Sequence, residues 1–311
     1  MPAPVAIRSQ YSDQFGSAQL PVLEELVKHE MEQHPSRREA LAKVVTTNRD
    51  IWQSSEIHDM DLLQLVPEGQ EYTFKRPKQG ANKTLTVLKY GLGMSISEEM
   101  IDDGKFDMIS EGVKRLGRSA KESQEIQFFS LFNNGFSGGS ETTADGVTIF
   151  NSAHTLPSGS TYRNVLSTAA DLSVTSLDQM LQDYETQFVG DSGIIYNMKP
   201  KYLVCHPSNK RYAMELVNSM NKPDTADNNM NSFKEDNLMV LSSPHLTDSD
   251  AWFLCGAPGD NGFRIIARKP VETKYAGADL GFTSDSMYVK VRYREIIGAL
   301  YGYGVFGTPG A

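Results

Sequence analysis

The chain lacks any apolar run near the ~20 residues that a membrane-spanning helix needs. It also has only two cysteines in 311 residues, and it is short of basic charge, with 30 Lys and Arg against 39 Asp and Glu for a net charge of −9. Each shortage excludes something. Without an apolar span, no membrane partner is expected. Two cysteines are too few for the disulfide framework of a small secreted fold. Cys205 and Cys255 sit in the apolar runs KYLVCH and AWFLCG, so the first expectation is two reduced core residues; spacing alone does not decide whether they pair. The acidic balance argues against a protein that grips nucleic acid through its phosphates. The opening residues, MPAPVAIRSQYSDQF, have no basic stretch followed by an apolar one. Synthesis in a cytoplasm is therefore the expectation, and Asn82-Lys83-Thr84 reads as a chance match to a glycosylation acceptor.

Chemistry-bearing motifs are scarce as well. Gly302, Gly304 and Gly307 have the spacing of a dinucleotide loop, but only Thr308 to Ala311 follow. No helix remains to hold a pyrophosphate, so a Gly-rich strand end with closely approaching backbones is the better reading. His29-Glu30 and His34 miss the four-residue histidine spacing of a zinc helix. His154, His206 and His245 fall in no ligand cluster with the cysteines. No metal and no cofactor are expected. There is no G-x-S-x-G, although a triad from distant residues stays open. The chain reads as non-enzymatic.

What the sequence does have is one long helical stretch. From Phe106 to Asn133, Ile109, Val113, Leu116 and Ala120 recur at helical spacing, with Ile126, Phe129 and Phe132 extending the face. Asn133-Asn134-Gly135 supplies a left-handed stop. Such a helix would be roughly 40 Å long at 1.5 Å per residue. Ser95 with Glu98 fits a capping box just upstream. Lys114, Arg115, Arg118 and Lys121 form a basic face, either a contact to nucleic acid or acidic neighbours, or a solvated face interleaved with Glu111, Glu122 and Glu125.

Around this spine the chain divides. Residues 1–50 read as an N-terminal arm, with a short amphipathic helix over 21–31 and helical turns over 37–43. Over 51–93, after a turn at Pro67-Glu68-Gly69, the alternating runs EYTFKRP (71–77) and KTLTVLKYGLGMSIS (83–97) predict a β-hairpin. Its tip carries Lys75, Arg76, Lys78 and Lys83. Such a hairpin reaches for a neighbour or is an exposed edge. Residues 165–261 read as an α/β unit. Ser176 caps a helix to about Val189, a helix from Pro207 runs to about Met220, and KYLVCH, LMVLSS and AWFLCG are strands. Polar loops are expected at 221–233 and 277–286. The tail, MYVKVRYREIIGALYGYGVF (287–306), reads as one strand or two beside the spine.

This order of parts resembles tailed-phage major capsid proteins of the HK97-like fold, the Mu-like and related head subunits. The most similar phrases are DGVTIFNSAHTL (145–156), KPKYLVCHPSNKRYAMELVNS (199–219) and LMVLSSPHLTDSDAWFLCG (238–256). The resemblance implies an α+β fold with an N-terminal arm (1–50), an extended loop (51–93), a peripheral domain with the spine helix (94–164 and 262–311) and an axial domain (165–261). It implies a major capsid protein whose hexamers and pentamers close an icosahedral shell around double-stranded DNA, held in loose contact only. Scaffolding, portal and head-decoration proteins would be further partners. The location would be the virion capsid, after synthesis in a bacterial host cytoplasm. Some relatives join a hairpin lysine to an asparagine; no crosslink is predicted here. An encapsulin-like compartment shell, and less strongly an oligomeric α/β hydrolase, are the alternatives.

Overall fold

A computed structural model describes residues 20–138, 141–219, 230–276 and 286–311. Most of the predicted arm before Leu20, the polar loop over 221–229 and the polar stretch over 277–285 lie outside them. In chain order the elements are α1 (Leu20–Gln33), α2 (Arg38–Leu41), β1 (Lys43–Thr46), β2 (Ile51–Ile57), β3 (Gln79–Thr86), β4 (Leu88–Ser97), α3 (Glu98–Asp102), α4 (Phe106–Asn133), β5 (His154–Thr155) and β6 (Thr161–Tyr162). Then come α5 (Val174–Thr186), β7 (Tyr202–Cys205), α6 (Lys210–Asn218), β8 (Met239–Ser242), β9 (Trp252–Cys255), β10 (Phe263–Ala276), β11 (Ser286–Ala299) and β12 (Val305–Thr308). A 3-10 turn at Ser232–Lys234 precedes β8.

The chain forms two compact units. The first is Met1–Ser36, Val87–Glu125 and Ala267–Glu295; the second is Arg37–Thr86, Ile126–Ile266 and Ile296–Ala311. The first unit is built on the antiparallel pair β4–β11, in register from Leu88↔Glu295 to Ser97↔Ser286. In strand order β10 flanks β11. Val289 and Val291 alternate with outward residues, and they close a core with Ile96, Val27 and the α4 residues Ile109, Val113, Leu116 and Ala120. These are the helix positions expected from the spacing, and β11 packs beside them as expected.

The second unit holds a four-stranded sheet of order β12-β9-β7-β8. β7 runs parallel to β8 and antiparallel to β9. β7, β9 and β12 are short and largely apolar because both faces are covered, while β8 at the edge is partly exposed. Leu203, Cys205, Trp252, Leu254 and Phe306 enter one core with α5 and α6. Val204, Phe253, Cys255 and Val305 enter the other, with Phe128, Phe129, Leu131 and Phe132 of α4. The two cysteines are free and buried, and they belong to opposite cores. Burial pushes the Cys205 thiol up to about 11 and Cys255 higher still, so neither is a reactive thiolate. Phe132 sits among the rings of Phe128, Phe129, Phe150, Phe253 and Phe263 at 4.9–6.2 Å.

Gly302 to Gly307 behave as a close approach. A Cβ at Gly302 would lie 2.6 Å from His154 Nε2, one at Gly307 would lie 2.6 Å from Phe253 Cδ1, and Gly304 has φ +72°.

Several local expectations are corrected. Residues 71–77 form no strand: β3 pairs instead with β2, Ile51↔Thr86 through Ile57↔Gln79, with a bulge between Ser55 and Ile57. Ser95 lies within β4, and Ser97 is the N-cap of α3 without a side-chain cap bond. The α5 capping box is Ser173 with Ser176, three residues earlier than expected, and the helix ends at Thr186. Ile126 is 54% exposed and leaves the apolar face that continues through Phe128. The tail is two strands, and β12 joins β9.

Candidate assembly surface

Within the second unit, residues 51–86 form a two-stranded ribbon with a long loop over 58–78. Polar contacts hold the base. Lys83 of β3 donates to the Thr142 carbonyl at 2.7 Å. Burial draws its ammonium below the usual lysine range, with Asp145 opposing. Glu56 on β2 is desolvated beside Asp145, with His154 opposing, and its carboxyl is pushed up to about 7. Buried His154 presents Nδ1 2.8 Å from Asp145 Oδ2 and Nε2 3.2 Å from Asn164 Oδ1. Burial acts to raise Asp145, yet hydrogen bonds from His154 and Thr143 outweigh it and hold its carboxyl below the ordinary range.

The root of the loop, where it leaves the ribbon, is latched too. The His58 amide donates to the Lys78 carbonyl at 3.0 Å. A Cβ at Gly80 would come within 2.2 Å of His58 Nε2, so only glycine lets the imidazole lie across β3. Lys78 Nζ donates to Asp191 Oδ2 at 2.6 Å, and the Ser158 amide donates to Asp191 Oδ1 at 2.6 Å. These donors hold the Asp191 carboxyl down at about 2.

Beyond Asp59 the chain has no such support. A turn closes at the Gln70 amide on the Pro67 carbonyl, with Gly69 at φ +81°, as the Pro67-Glu68-Gly69 signal predicts. Leu63, Leu65 and Phe74 are 101%, 95% and 94% exposed, and Leu62 and Tyr72 are exposed with them. So many large apolar side chains on one segment mark an interaction surface.

The predicted site residues separate along this segment. Lys75 pairs with Asp61 inside the loop, and Arg76 is exposed. Lys78 and Lys83 are tied to their own subunit. On α4, Arg115 pairs with Glu111 at 3.2 Å, Arg118 is exposed, and Lys114 and Lys121 are half-buried. The sequence reading overlooked Leu63, Leu65 and Phe74 as a surface. Their signal was available: large apolar residues spaced among Pro, Gly and Glu, with no period that would bury them.

A family model for phage capsid proteins matches residues 81–305. The chain belongs to the phage capsid protein family. It is a structural subunit of an icosahedral shell and a component of the virion capsid, and its fold is α+β and HK97-like. Among solved structures it is similar to the capsid of the cyanophage P-SCSP1u, with a TM-score of 0.62 at 11% identity over 89% of this chain and 88% of that one. It is also similar to a solved structure of Microbacterium phage Oxtober96, with a TM-score of 0.56 at 11% identity over 88% and 91%. The virus-like particle of Pyrococcus furiosus aligns with a TM-score of 0.54 at 12% identity over 93% and 98%. At these identities the likeness speaks for the fold. No curated protein matches the chain in sequence. The family match does not favour the encapsulin-like alternative.

Proposed function

We propose that this capsid protein assembles through hexamers and pentamers into a closed shell around double-stranded DNA, and that the loop over 60–77 makes its main contact with a neighbouring copy. The exposed apolar cluster of Leu63, Leu65, Tyr72 and Phe74 supports this reading. A segment with no core of its own gains burial only against another subunit. Heterologous contacts of this kind close into rings and, with two ring sizes, into shells. In this reading, residues 1–50 are an arm, 51–93 the extended loop, 94–164 with 262–311 the peripheral domain, and 165–261 the axial domain. Lys75 and Arg76 steer the loop's approach, and the basic face of Lys114, Arg115, Arg118 and Lys121 meets acidic neighbours. The protein works without catalysis and is made in the bacterial host cytoplasm. A separate scaffolding protein guides it, and portal and decoration proteins complete the head. A net charge of −9 keeps the packaged DNA loosely held.

Negative-stain electron microscopy with light scattering on the purified protein tests this. Closed shells or six- and five-fold rings are expected. A monomer or small dimer, unchanged by crowding or added scaffold, would overturn the reading. Tight, salt-dependent affinity of the free subunit for duplex DNA would overturn the loose-contact part alone.

A further inference from the structure

In the first unit, three strands bring like charges together. Along β11, Val289, Val291 and Tyr293 are buried, while Lys290, Arg292 and Arg294 alternate with them onto the opposite face. The antiparallel register sets Arg294 opposite Lys89 and Arg292 opposite Gly91 on β4. Lys89, Arg292 and Arg294, with Lys269 and Glu272 of β10 and Tyr293, line a cavity of about 170 Å³. Among the described residues its only acid is Glu272, whose Oε2 lies 3.2 Å from Arg292 Nη2.

Within the subunit this arrangement is incomplete. Cations placed directly opposite each other on a sheet repel. The Nε atoms of Arg292 and Arg294 are both buried with no hydrogen-bond partner, and a buried donor left unpaired is costly. Four cations face one carboxylate in a chain whose net charge is −9.

We propose that this cavity is a carboxylate receptor, completed by an exposed Asp or Glu of a second copy of this chain. The inference rests on the shell-forming reading above. A carboxylate matches the planar fork of a guanidinium and accepts two parallel hydrogen bonds from it. The cavity takes one such group between Arg294, Lys89 and Lys269. A nucleic-acid strand would bring a row of phosphates and needs cations that follow it. Here the same face of β4 continues as Gly91, Gly93 and Ser95, and Glu272 adds repulsion. A shell built from a chain with 39 acidic residues supplies carboxylates from its own copies.

Shells grown from equal amounts of nitrogen-14 and nitrogen-15 protein, treated with a zero-length carbodiimide coupler, test this by mass spectrometry. Lys89 or Lys269 should be found joined to an Asp or Glu in mixed-isotope peptide pairs. Arg294→Gln should raise the protein concentration needed for assembly at least tenfold, and Arg294→Lys should recover part of that. The Tm of the unassembled subunit should not move in either variant. The inference is overturned if shells form while both lysines join only their own chain's Glu272 or nothing. It is also overturned if DNA filling, and not assembly, protects these lysines from acylation, which would assign the cavity to phosphate. Wild-type protein that forms neither shells nor rings would overturn the parent reading, and this one with it.

Discussion

The ribbon and the loop of residues 51–86 are made of different residues and do opposite things. At the base, polar groups point inward and are satisfied: Lys78 on Asp191, Lys83 on Thr142, His154 on Asp145. At the far end, large apolar groups are exposed, Leu63 fully. The usual rule places apolar residues inside, and here it is inverted over a few turns of chain. The base fixes where the loop leaves the subunit. The far end keeps its burial in reserve for a neighbour. Stability and assembly should therefore be separable by mutation.

The largest separation is expected at the far end. Replacing Leu63, Leu65, Tyr72 and Phe74 together by Ser should abolish shell formation as seen by electron microscopy. The denaturation midpoint of the subunit should stay put, since surface changes away from packed features usually stay within about 0.5 kcal/mol. A clear fall in subunit stability would show that these side chains already serve their own fold, and the comparison would break.

At the base the effect falls on stability. Asp191→Ala leaves Lys78 and the Ser158 amide without their acceptor and should cost about 1–3 kcal/mol in denaturant unfolding. The pH sign follows from a carboxyl held at about 2 against an ordinary value of 3.8. Its contribution is complete above pH 3.8 and is lost as pH falls from there through about 2. Lys78→Ala should flatten the same acid limb. Glu56 has the opposite sign, with a folded value of about 7 against 4.5. Protonated in the fold, it costs nothing below pH 4.5. Stability then falls as pH rises through about 7, because ionisation is penalised only in the folded state. Glu56→Gln should remove that decline and gain up to roughly 3 kcal/mol at pH 8. A wild-type stability flat between pH 5 and 8 would sink this assignment.

The same contrast explains what could be read from sequence. The spine helix was legible in its extent, because Val113 and Leu116 recur with the helix period and it ends at Asn133; the left-handed turn expected at Asn133-Asn134-Gly135 is not there, and the first positive φ after the helix is at Gly138. The buried strands KYLVCH and AWFLCG were legible as short apolar runs. The first strand of the ribbon was not. In IWQSSEI the half-buried positions are Trp52, Ser54 and Glu56, so its inward face is largely polar. EYTFKRP alternates better, but its Tyr72 and Phe74 face solvent. Periodicity finds strands that bury oil, and this ribbon buries hydrogen bonds. The cavity of Lys89, Lys269, Arg292 and Arg294 was hidden for another reason. Its cations come from three strands that the register alone brings together, while the basic runs visible in sequence went largely to solvent.

The smallest effect should come from the one ion pair inside the exposed loop. Lys75 and Asp61 remain 50% and 39% exposed at their side chains. Water screens such a pair, and holding two mobile side chains together offsets much of the attraction. Lys75→Ala should therefore change subunit stability by no more than about 0.5 kcal/mol. Its effect on assembly decides how the loop is held. If 60–77 takes its shape only against a neighbour, the variant should assemble at wild-type protein concentration, because the apolar contact sets the geometry. If Lys75→Ala raises that concentration as far as loss of Phe74 does, the pair preorganises the loop before contact. The far end would then share the base's logic of satisfied polar groups, and the line between the two regions would move outward to Arg76.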